Sequence, residues 1–337
     1  MLADVVVDLQ YGDCGKGKVA HALCSNNNYT HVIRYNGGCN AGHTIYHEGK
    51  KFITHHIPCG VFYNITSIIG PGCVIHPDTF FKEIENLEKQ GIPAKKLVKV
   101  ASNAHIITDF HKKEDSKDEE IGTTRRGNGP AYRDKYARKG VRALEDPRFE
   151  EYIVSMYEEL YENEKYSIDE IEILFEGAQG FGLDIDWGDY PFVTSSHCTV
   201  GSAILNGVPP SCIRDVWGVA KIYETYVGAK KFEGPYEIFD EIRKLGEEYG
   251  STTGRPRQIN WLDFDLLKMA CRINGTNKIV INKMDILEEL DQWCIYSGLD
   301  MLQFETRDDI EYWIENKLLL EANNQMEIYF SGDKEFI

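Results

Sequence analysis

Short runs of β-branched residues alternate along this chain with stretches whose apolar residues recur at helical spacing. The runs predict strands at 4–9, 31–35, 66–69, 97–101, 171–175, 216–223 and 278–282. The helical stretches lie at 18–24, 79–90, 146–162, 237–248, 264–273 and 308–320, with Asp78 capping the second helix and Gly91 ending it. This alternation favours an α/β fold with a mostly parallel central sheet and helices on both faces.

Composition narrows the class of protein further. The 337 residues contain no internal repeat or low-complexity linker, so we expect a single domain spanning 1–337. A net charge of −17 argues against nucleic-acid binding, which needs a positive surface. No apolar run approaches the roughly 20 residues of a membrane span, and residues 1–10 lack the basic region of a signal peptide. Nine cysteines without a C-x-x-C pair predict reduced thiols in a cytoplasmic protein.

A glycine-rich loop directly follows the first predicted strand. The segment GDCGKGK at 12–18 fits the pattern G-x-x-x-x-G-K and runs into a predicted helix, which is typical of phosphate-binding loops. Val19 stands where such loops usually have the Ser or Thr that binds Mg²⁺, so Asp13 is the candidate metal ligand. The loop predicts a fold like that of P-loop NTPases, with loop subdomains. Its candidate phosphate-binding residues are Gly12, Gly15, Lys16, Gly17 and Lys18.

A second nucleotide motif lies far downstream, where the strand at 278–282 ends in the N-K-x-D pattern at 282–285. The carboxylate of Asp285 can accept hydrogen bonds from the N1–H and 2-amino groups of guanine, which adenine does not offer. The apolar stem of Lys283 can lie along the base. Together with the phosphate loop, this motif indicates a phosphoryl-transfer enzyme that uses GTP rather than ATP.

Six further segments point to one family. They are NAGHT at 40–44, GTT at 122–124, GPAY at 129–132, FEGAQG at 175–180, YPFVTSS at 190–196 and STTGRPR at 251–257. With the phosphate loop, they make the chain resemble the adenylosuccinate synthetases over almost its whole length. The resemblance implies a ligase of purine biosynthesis that uses GTP as co-substrate. Such an enzyme joins L-aspartate to C6 of a 6-oxopurine nucleotide, usually IMP, through a 6-phosphoryl intermediate.

The resemblance also implies roles for individual residues. Asp13 would take the N1 proton as general base, and His43 would stabilise charge on the departing phosphate. Mg²⁺ would bridge phosphates through Asp13 and the carbonyl of Gly42. The purine nucleotide would contact Asp13, Asn40, Ala41, Gly42, His43, Thr124, Gln179, Thr194 and Arg255, with Arg138 reaching it from the second subunit of a homodimer. Aspartate would bind Ser251, Thr252, Thr253, Gly254 and Arg255, and GTP would also contact Arg257, Lys283, Asp285, Ser331 and Gly332.

Some segments depart from the family pattern. Cys14 replaces the usual glutamate of the loop, and the chain is shortened after 146 and after 285. The segment DLQYG at 8–12 resembles a viral branch that makes 2-aminoadenylosuccinate from dGMP; Cys14 would leave room there for the guanine 2-amino group. The acceptor is therefore IMP or, in the viral alternative, dGMP, with the enzyme in the host cytoplasm. A regulatory GTP-binding protein would explain the two nucleotide motifs but not the segments at 40–43 and 251–257.

Overall fold

The computed structural model describes residues 1–118, 120–250, 254–321 and 325–333. Its strands are β1 (Leu2–Asp8), β2 (His31–Arg34), β3 (His43–His47), β4 (Lys50–Thr54), β5 (Thr66–Ile69), β6 (Val74–Ile75), β7 (Val98–Ala101), β8 (His105–Ile106), β9 (Ile153–Val154), β10 (Glu172–Glu176), β11 (Ile213–Lys221), β12 (Tyr223–Tyr226), β13 (Gln258–Asp263), β14 (Lys278–Asn282), β15 (Trp293–Ser297), β16 (Asp300–Phe304) and β17 (Glu327–Ser331). Its helices are α1 (Lys16–Asn26), α2 (Pro77–Lys89), α3 (Ala94–Leu97), α4 (Asp109–Asp115), α5 (Asn128–Tyr136), α6 (Met156–Tyr161), α7 (Val200–Ile204), α8 (Ile238–Leu245), α9 (Phe264–Asn274), α10 (Met284–Leu290) and α11 (Arg307–Glu321).

One large sheet organises the fold. Its strand order is β17-β14-β11-β1-β10-β2-β5-β7-β9, and all of its neighbouring strands pair in parallel. In β1, Val5, Val6 and Val7 alternate between the two faces of the sheet, and all three are fully buried. Both faces are therefore covered, as expected for a parallel sheet. The predicted α/β class and mostly parallel sheet are confirmed.

The carboxyl ends of the central strands meet at one edge of this sheet. β1 ends at Asp8, β2 at Arg34, β10 at Glu176 and β14 at Asn282, and the glycine-rich segments follow these ends. β1 lies between β10 and β11, so the chain crosses from one side of the sheet to the other around it. Open α/β sheets bind ligands at such a position.

Two smaller sheets flank this edge. β3 and β4 form an antiparallel hairpin in which His43 pairs with Thr54, so the hairpin fixes the backbone of His43. β12, β13, β15 and β16 form a four-stranded sheet. The predicted strand at 216–223 divides between the large sheet and this one, because the chain leaves β11 at Ile222, whose N–H bonds to the carbonyl of Asn282.

The helix predicted at 146–162 is wrong. A 3-10 helix at Pro147–Tyr152, the strand β9 and the helix α6 replace it. The β-branched pair Ile153–Val154 extends the large sheet beside β7. Ser155 then starts α6 as its N-cap, with its side chain accepting from the N–H of Glu158. The helical periodicity of this stretch therefore came from two short elements joined by an edge strand.

The start of the second predicted helix also needs correction. Asp78 lies inside the first turn of α2, and the N-cap is His76, whose side chain accepts from the N–H of Thr79. Pro77 explains the shift, since proline is favoured at the first helical position. Gly91 follows the end of α2 with a φ of 88°, as its predicted role as a stop requires.

Candidate active site

A cavity of about 790 Å³ opens at the carboxyl edge of the central strands. It is lined by several segments between Tyr11 and Arg257, which the sheet edge brings together. Among the residues predicted to bind substrates, those lining it are Gly12, Asp13, Gly15, Lys16, Gly17, Asn40, Ala41, Gly42, His43, Thr124, Gln179, Thr194, Arg255 and Arg257.

Two glycines of the phosphate loop allow other site segments to pack directly against it. A Cβ atom on Gly17 would lie 2.9 Å from the Cβ of His43. Gly15 has a φ of 101°, and a Cβ there would lie 2.9 Å from Nδ2 of Asn282. Glycine is therefore required at both positions, by space at Gly17 and by space and backbone conformation at Gly15.

Asp13 lies at the tip of the loop, in a left-handed backbone conformation with a φ of 58°. Its Oδ2 lies 3.0 Å from Nη2 of Arg257, and 39% of its side chain is exposed. Nη1 of Arg257 contacts Oε2 of Glu248 at 2.5 Å, and Nζ of Lys221 lies 2.9 Å from both oxygens of the same carboxylate. Although burial raises the pKa of Glu248, Lys221 and Arg257 together hold that pKa at about 2. Arg257 thus links the candidate base Asp13 to the buried, ionised carboxylate of Glu248.

His43 belongs to a second buried network. Its Nδ1 lies 2.5 Å from Oε1 of Glu176, which also accepts from Nη2 of Arg34 at 2.7 Å. Burial and the charge of Arg34 lower the pKa of His43 to about 4, against the opposing effect of Glu176. Burial alone would raise the pKa of Glu176, but Arg34 and His43 hold it at about 2. At neutral pH His43 is therefore a neutral imidazole that donates its Nδ1–H to a carboxylate.

Asp8 holds the phosphate loop from below. Its Oδ1 accepts from the N–H of Gly12 at 3.1 Å, and its Oδ2 accepts from the N–H of Cys14 at 3.1 Å. Nζ of Lys16 lies 2.9 Å from the same Oδ2, and both side chains are buried. The ammonium of Lys16 thus lines the cavity already paired with a carboxylate. Neither Asp8 nor Glu176 was among the residues predicted from sequence.

Cys14 lies beneath the loop rather than in the cavity. The residue is 2% exposed, its thiol donates to Oε1 of Gln10 at 3.0 Å, and it does not line the cavity. Cys14 therefore takes up no space in the cavity, and the expectation that it leaves room for a guanine 2-amino group stays a prediction. The described cysteines are all free, as predicted, although the sulfur atoms of Cys24 and Cys59 are only 3.8 Å apart.

The residues predicted to hold GTP through Lys18 and the N-K-x-D motif lie together outside this cavity. Nζ of Lys18 donates to Oγ of Ser331 at 2.9 Å and to the carbonyl of Asp333 at 2.9 Å. A Cβ on Gly332 would lie 3.0 Å from the Cβ of Asp285. Burial lowers the pKa of Lys18 to about 8. The first helix and the ends of β14 and β17, two neighbouring strands at one edge of the large sheet, thus meet beside the phosphate loop.

The N-K-x-D motif also contacts the loop directly. Nδ2 of Asn282 donates to the carbonyl of Cys14 at 2.8 Å. Lys283 has a φ of 69°, and its Nζ donates to the carbonyl of Gly246 at 2.8 Å. The two nucleotide motifs, which lie at opposite ends of the sequence, are therefore adjacent in the fold.

Two further predicted residues, Arg138 and Gly254, do not line the cavity. Arg138 is exposed just beyond α5, with a φ of 61°, and does not line the cavity. Ser251, Thr252 and Thr253 lie outside the described residues. Gly254, with a φ of 65°, does not line the cavity either, whereas the adjacent Arg255 does.

The predicted metal ligands Asp13 and Gly42 both line the cavity. In the described part of the chain, a group of three ligand-bearing side chains occurs elsewhere, at Asp184, Asp186 and His197. Asp184 is fully buried, and its carboxylate accepts from the N–H groups of Asp186, Trp187 and Cys198. Asp184 therefore already has a structural role in its loop.

The parallel sheet, the glycine-rich loop and the N-K-x-D motif packed against it define a nucleotide-binding α/β protein. The sequence model of the family described as adenylosuccinate synthetase matches residues 5–172 and 145–310. The chain belongs to the adenylosuccinate synthetase family. It is accordingly a ligase that forms a C–N bond, in a family that depends on GTP.

Individual relatives agree with this assignment. The adenylosuccinate synthetase of Lactococcus lactis subsp. lactis is 41% identical over 85% of this chain and 78% of its own length. That of Halothermothrix orenii is 39% identical over 87% of this chain and 80% of its own length.

Among the described residues, none of the helices combines the length and apolar character that a membrane crossing needs.

Solved structures share the fold. The fully ligated adenylosuccinate synthetase of Plasmodium falciparum superimposes with a TM-score of 0.85 at 28% identity, covering 98% of this chain and 97% of its own. The succinoaminodeoxyadenylate synthetase of cyanophage S-2L, bound to dGMP and dATP, has a TM-score of 0.71 at 23% identity, covering 94% and 99%. At that identity, the phage enzyme supports the fold alone.

Proposed function

We propose that this enzyme ligates L-aspartate to C6 of IMP, converting GTP to GDP and phosphate. The observation that carries the proposal is the convergence of Asp13, His43 and Gln179 with the phosphate loop on one cavity. A purine nucleotide in that cavity would lie beside the carboxylate of Asp13, which can take the N1 proton, and beside the phosphate-binding loop that carries Asp13. Membership of a ligase family favours this function over a regulatory GTP-binding protein.

The proposed reaction starts at Asp13. The 6-oxo group of a purine is a weak nucleophile until N1 loses its proton, so a carboxylate within hydrogen-bonding reach of N1 activates it. O6 then attacks the γ-phosphorus, and the bond to the bridging oxygen of GDP breaks. The aspartate amine next attacks C6 and expels phosphate. Arg257, which pairs with Asp13, is placed to exchange that contact for a phosphate oxygen.

His43 is proposed to stabilise the departing phosphate. Its Nδ1–H is directed at Glu176, and its Nε2 lies 3.4 Å from Nη1 of Arg34, a contact that a phosphate oxygen would replace. A triphosphate beside the ring raises the pKa of His43, because nearby negative charge favours the imidazolium form. Glu176 then stabilises that imidazolium, and Nε2–H donates to the phosphate.

The remaining roles follow the resemblance. We propose that the purine nucleotide contacts Asn40, Ala41, Gly42, Thr124, Gln179, Thr194 and Arg255. GTP contacts Gly12, Gly15, Lys16, Gly17, Lys18, Arg257, Lys283, Asp285, Ser331 and Gly332. Aspartate contacts Ser251, Thr252, Thr253, Gly254 and Arg255. Mg²⁺ would be held by the carboxylate of Asp13 and the carbonyl of Gly42, oxygen donors of the kind this ion prefers. When bound, it would neutralise charge on the phosphates.

We also propose a cytoplasmic homodimer in which Arg138 reaches the nucleotide phosphate of the partner subunit. Its exposure on its own subunit and its distance from the lining of the cavity support this role. Residues 1–337 are proposed to form one domain, since one hydrophobic cluster extends from Ala3 to Leu318.

The test is an acceptor assay. Purified protein receives GTP, Mg²⁺ and L-aspartate with IMP, GMP or dGMP in turn, and the succinyl product is identified by mass. The proposal predicts product from IMP. Product from dGMP alone would establish the viral alternative, which the segment DLQYG at 8–12 favours. Release of phosphate without any need for aspartate would contradict both ligase functions.

A further inference from the structure

Two buried thiols contact each other beside the first helix. Cys24 lies on the buried face of α1, and Cys59 begins the 3-10 helix at Cys59–Tyr63. Their sulfur atoms are 3.8 Å apart, although the residues are 35 positions apart in the chain. Another buried thiol, that of Cys73, instead donates to the carbonyl of Arg34 at 3.2 Å. The fold therefore brings two sulfur atoms from distant segments into direct contact.

We propose that Cys24 and Cys59 are a modification site, at which a peroxide forms a disulfide that small thiols reduce again. A disulfide has an S–S distance of about 2.0 Å, so the two sulfur atoms must approach by about 1.8 Å. Rotation of the two side chains and a small shift of the short 3-10 helix supply such a movement. Disulfides of cytosolic proteins are usually transient in this way.

The order of the chemical steps follows from burial. Cys24 is 4% exposed and Cys59 is fully buried, and burial raises the pKa of the Cys59 thiol well above its usual value. Peroxide therefore reacts first with Cys24, which loses its proton and attacks one peroxide oxygen. The O–O bond breaks, the released hydroxide takes up a proton to become water, and Cys24 becomes a sulfenic acid.

Cys59 completes the oxidation. Its sulfur attacks the sulfur of the Cys24 sulfenic acid, so that the S–S bond forms and the S–O bond breaks. The hydroxide that leaves takes up the proton of Cys59 as a second molecule of water. Two thiols thus lose two electrons in all, and one hydrogen peroxide is reduced to two waters. Reduction by a small thiol reverses the modification through a mixed disulfide.

The site is connected to the buried network of His43. The backbone N–H of Cys59 donates to Oε2 of Glu176 at 2.8 Å, and Oε1 of the same carboxylate lies 2.5 Å from Nδ1 of His43. Protein interiors are close-packed, so drawing Cys59 towards α1 displaces the carboxylate that orients His43. The disulfide therefore lowers turnover. This effect on turnover, unlike the formation of the bond, rests on the proposed function.

Peptide mapping of the full-length protein tests the modification site. The protein is treated with hydrogen peroxide, alkylated in denaturant and digested without reductant by trypsin and chymotrypsin. Cleavage after Phe62 or Tyr63 separates Cys59 from Cys73, so the linked cysteines are assigned by mass. We expect a peptide pair joined through Cys24 and Cys59 that disappears after treatment with dithiothreitol. Recovery of these two cysteines in unlinked form, or linked only to other cysteines, would overturn the proposal.

Two serine variants control for oxidation elsewhere. Cys24→Ser removes the first thiol of the pair, and Cys212→Ser removes a half-buried cysteine of another segment. We expect no Cys59 linkage in Cys24→Ser and the same linkage as in the wild type in Cys212→Ser. Loss of the linkage in Cys212→Ser would contradict the assignment. The mapping of the wild-type protein remains decisive if a variant does not fold.

Phosphate release in the acceptor assay tests the effect on turnover. We expect oxidation to lower turnover at least about tenfold, as the weakening of one hydrogen bond to a charged group predicts, and dithiothreitol to restore it. Turnover of Cys24→Ser should be insensitive to peroxide. Unchanged turnover in fully linked protein would refute the coupling to His43. A protein without ligase activity would fail the proposed function, while the peptide map would still decide whether the disulfide forms.

Discussion

Replacing Glu176 by glutamine, which exchanges one carboxylate oxygen for an NH₂ group, tests the role of the buried network around His43. The carboxylate uses one oxygen for Arg34 and His43 and the other for the N–H of Cys59, 2.8 Å away. A glutamine amide has a single oxygen, so one of these sets must face an NH₂ group instead. Arg34 also loses its buried counter-charge. The substitution therefore damages both the orientation of His43 and the stability of the fold.

The magnitudes follow from these contacts. Removing one partner of a buried ion pair costs about 3–5 kcal/mol. An unfolding entropy of about 2.1 cal/mol/K per residue over 337 residues gives roughly 0.7 kcal/mol/K, so Tm falls by about 4–7 °C. For turnover, loss of the carboxylate that orients a catalytic histidine predicts a fall of roughly 10²- to 10⁴-fold, by analogy with serine proteases.

The assay measures phosphate release at a temperature well below the Tm of the variant, and calorimetry gives the Tm. Glu164→Gln is the control, since Glu164 is an exposed glutamate far from the site and neither quantity should change. A folded Glu176→Gln enzyme with turnover within about threefold of the wild type would refute the role of this network.

Four other outcomes are expected. Asp13→Ala abolishes turnover while GTP still binds in a fluorescence titration; near-normal turnover would mean that the N1 proton goes elsewhere. Chelation of Mg²⁺ by EDTA stops turnover and added Mg²⁺ restores it, unless the metal proposal is wrong. Gly72→Ala lowers the free energy of unfolding by at least about 3 kcal/mol in urea titrations, because its Cβ would lie 1.9 Å from the carbonyl oxygen of Tyr35. Gly201→Ala is the control, because its Cβ would make an ordinary contact with Oγ1 of Thr199 at 3.7 Å. Tm falls as the pH is lowered from about 6.5 towards 4. Burial depresses the pKa of His43 to about 4 and lowers that of His56, so the unfolded chain binds more protons than the folded protein in this pH range. A Tm that does not change with pH in this range would exclude this linkage.

Sequence patterns predicted the sheet well because its strands are buried. The strands at 66–69 and 278–282 have the predicted bounds, since β-branched runs between turn residues leave little ambiguity. Periodicity failed at 146–162, where two short elements and an edge strand mimicked one helix. Local spacing does not distinguish one long helix from two short helical elements with a strand between them, because the strand forms only by pairing with β7.

The carboxylates that organise the site were harder to predict. Glu176 ends a buried strand after Ile173–Phe175, and a charge in that position was the available signal. Asp8 ends β1 in the same way. The contacts of Glu248 with Arg257 and Lys221 depend on how distant segments meet, which no local motif encodes. The left-handed backbone conformation of Asp13 and Gln179 was likewise not predicted from the sequence, although strain of this kind is common at functional sites.

The central claim is that O6 of the acceptor nucleotide attacks the γ-phosphate of GTP, and isotope transfer tests it directly. The enzyme is given IMP labelled with ¹⁸O at position 6, together with GTP, Mg²⁺ and L-aspartate, and the released phosphate is analysed by mass spectrometry. The account predicts one ¹⁸O atom in each phosphate, because C6 loses its oxygen with the phosphoryl group. Unlabelled phosphate, with the ¹⁸O recovered in water, would contradict a 6-phosphoryl intermediate.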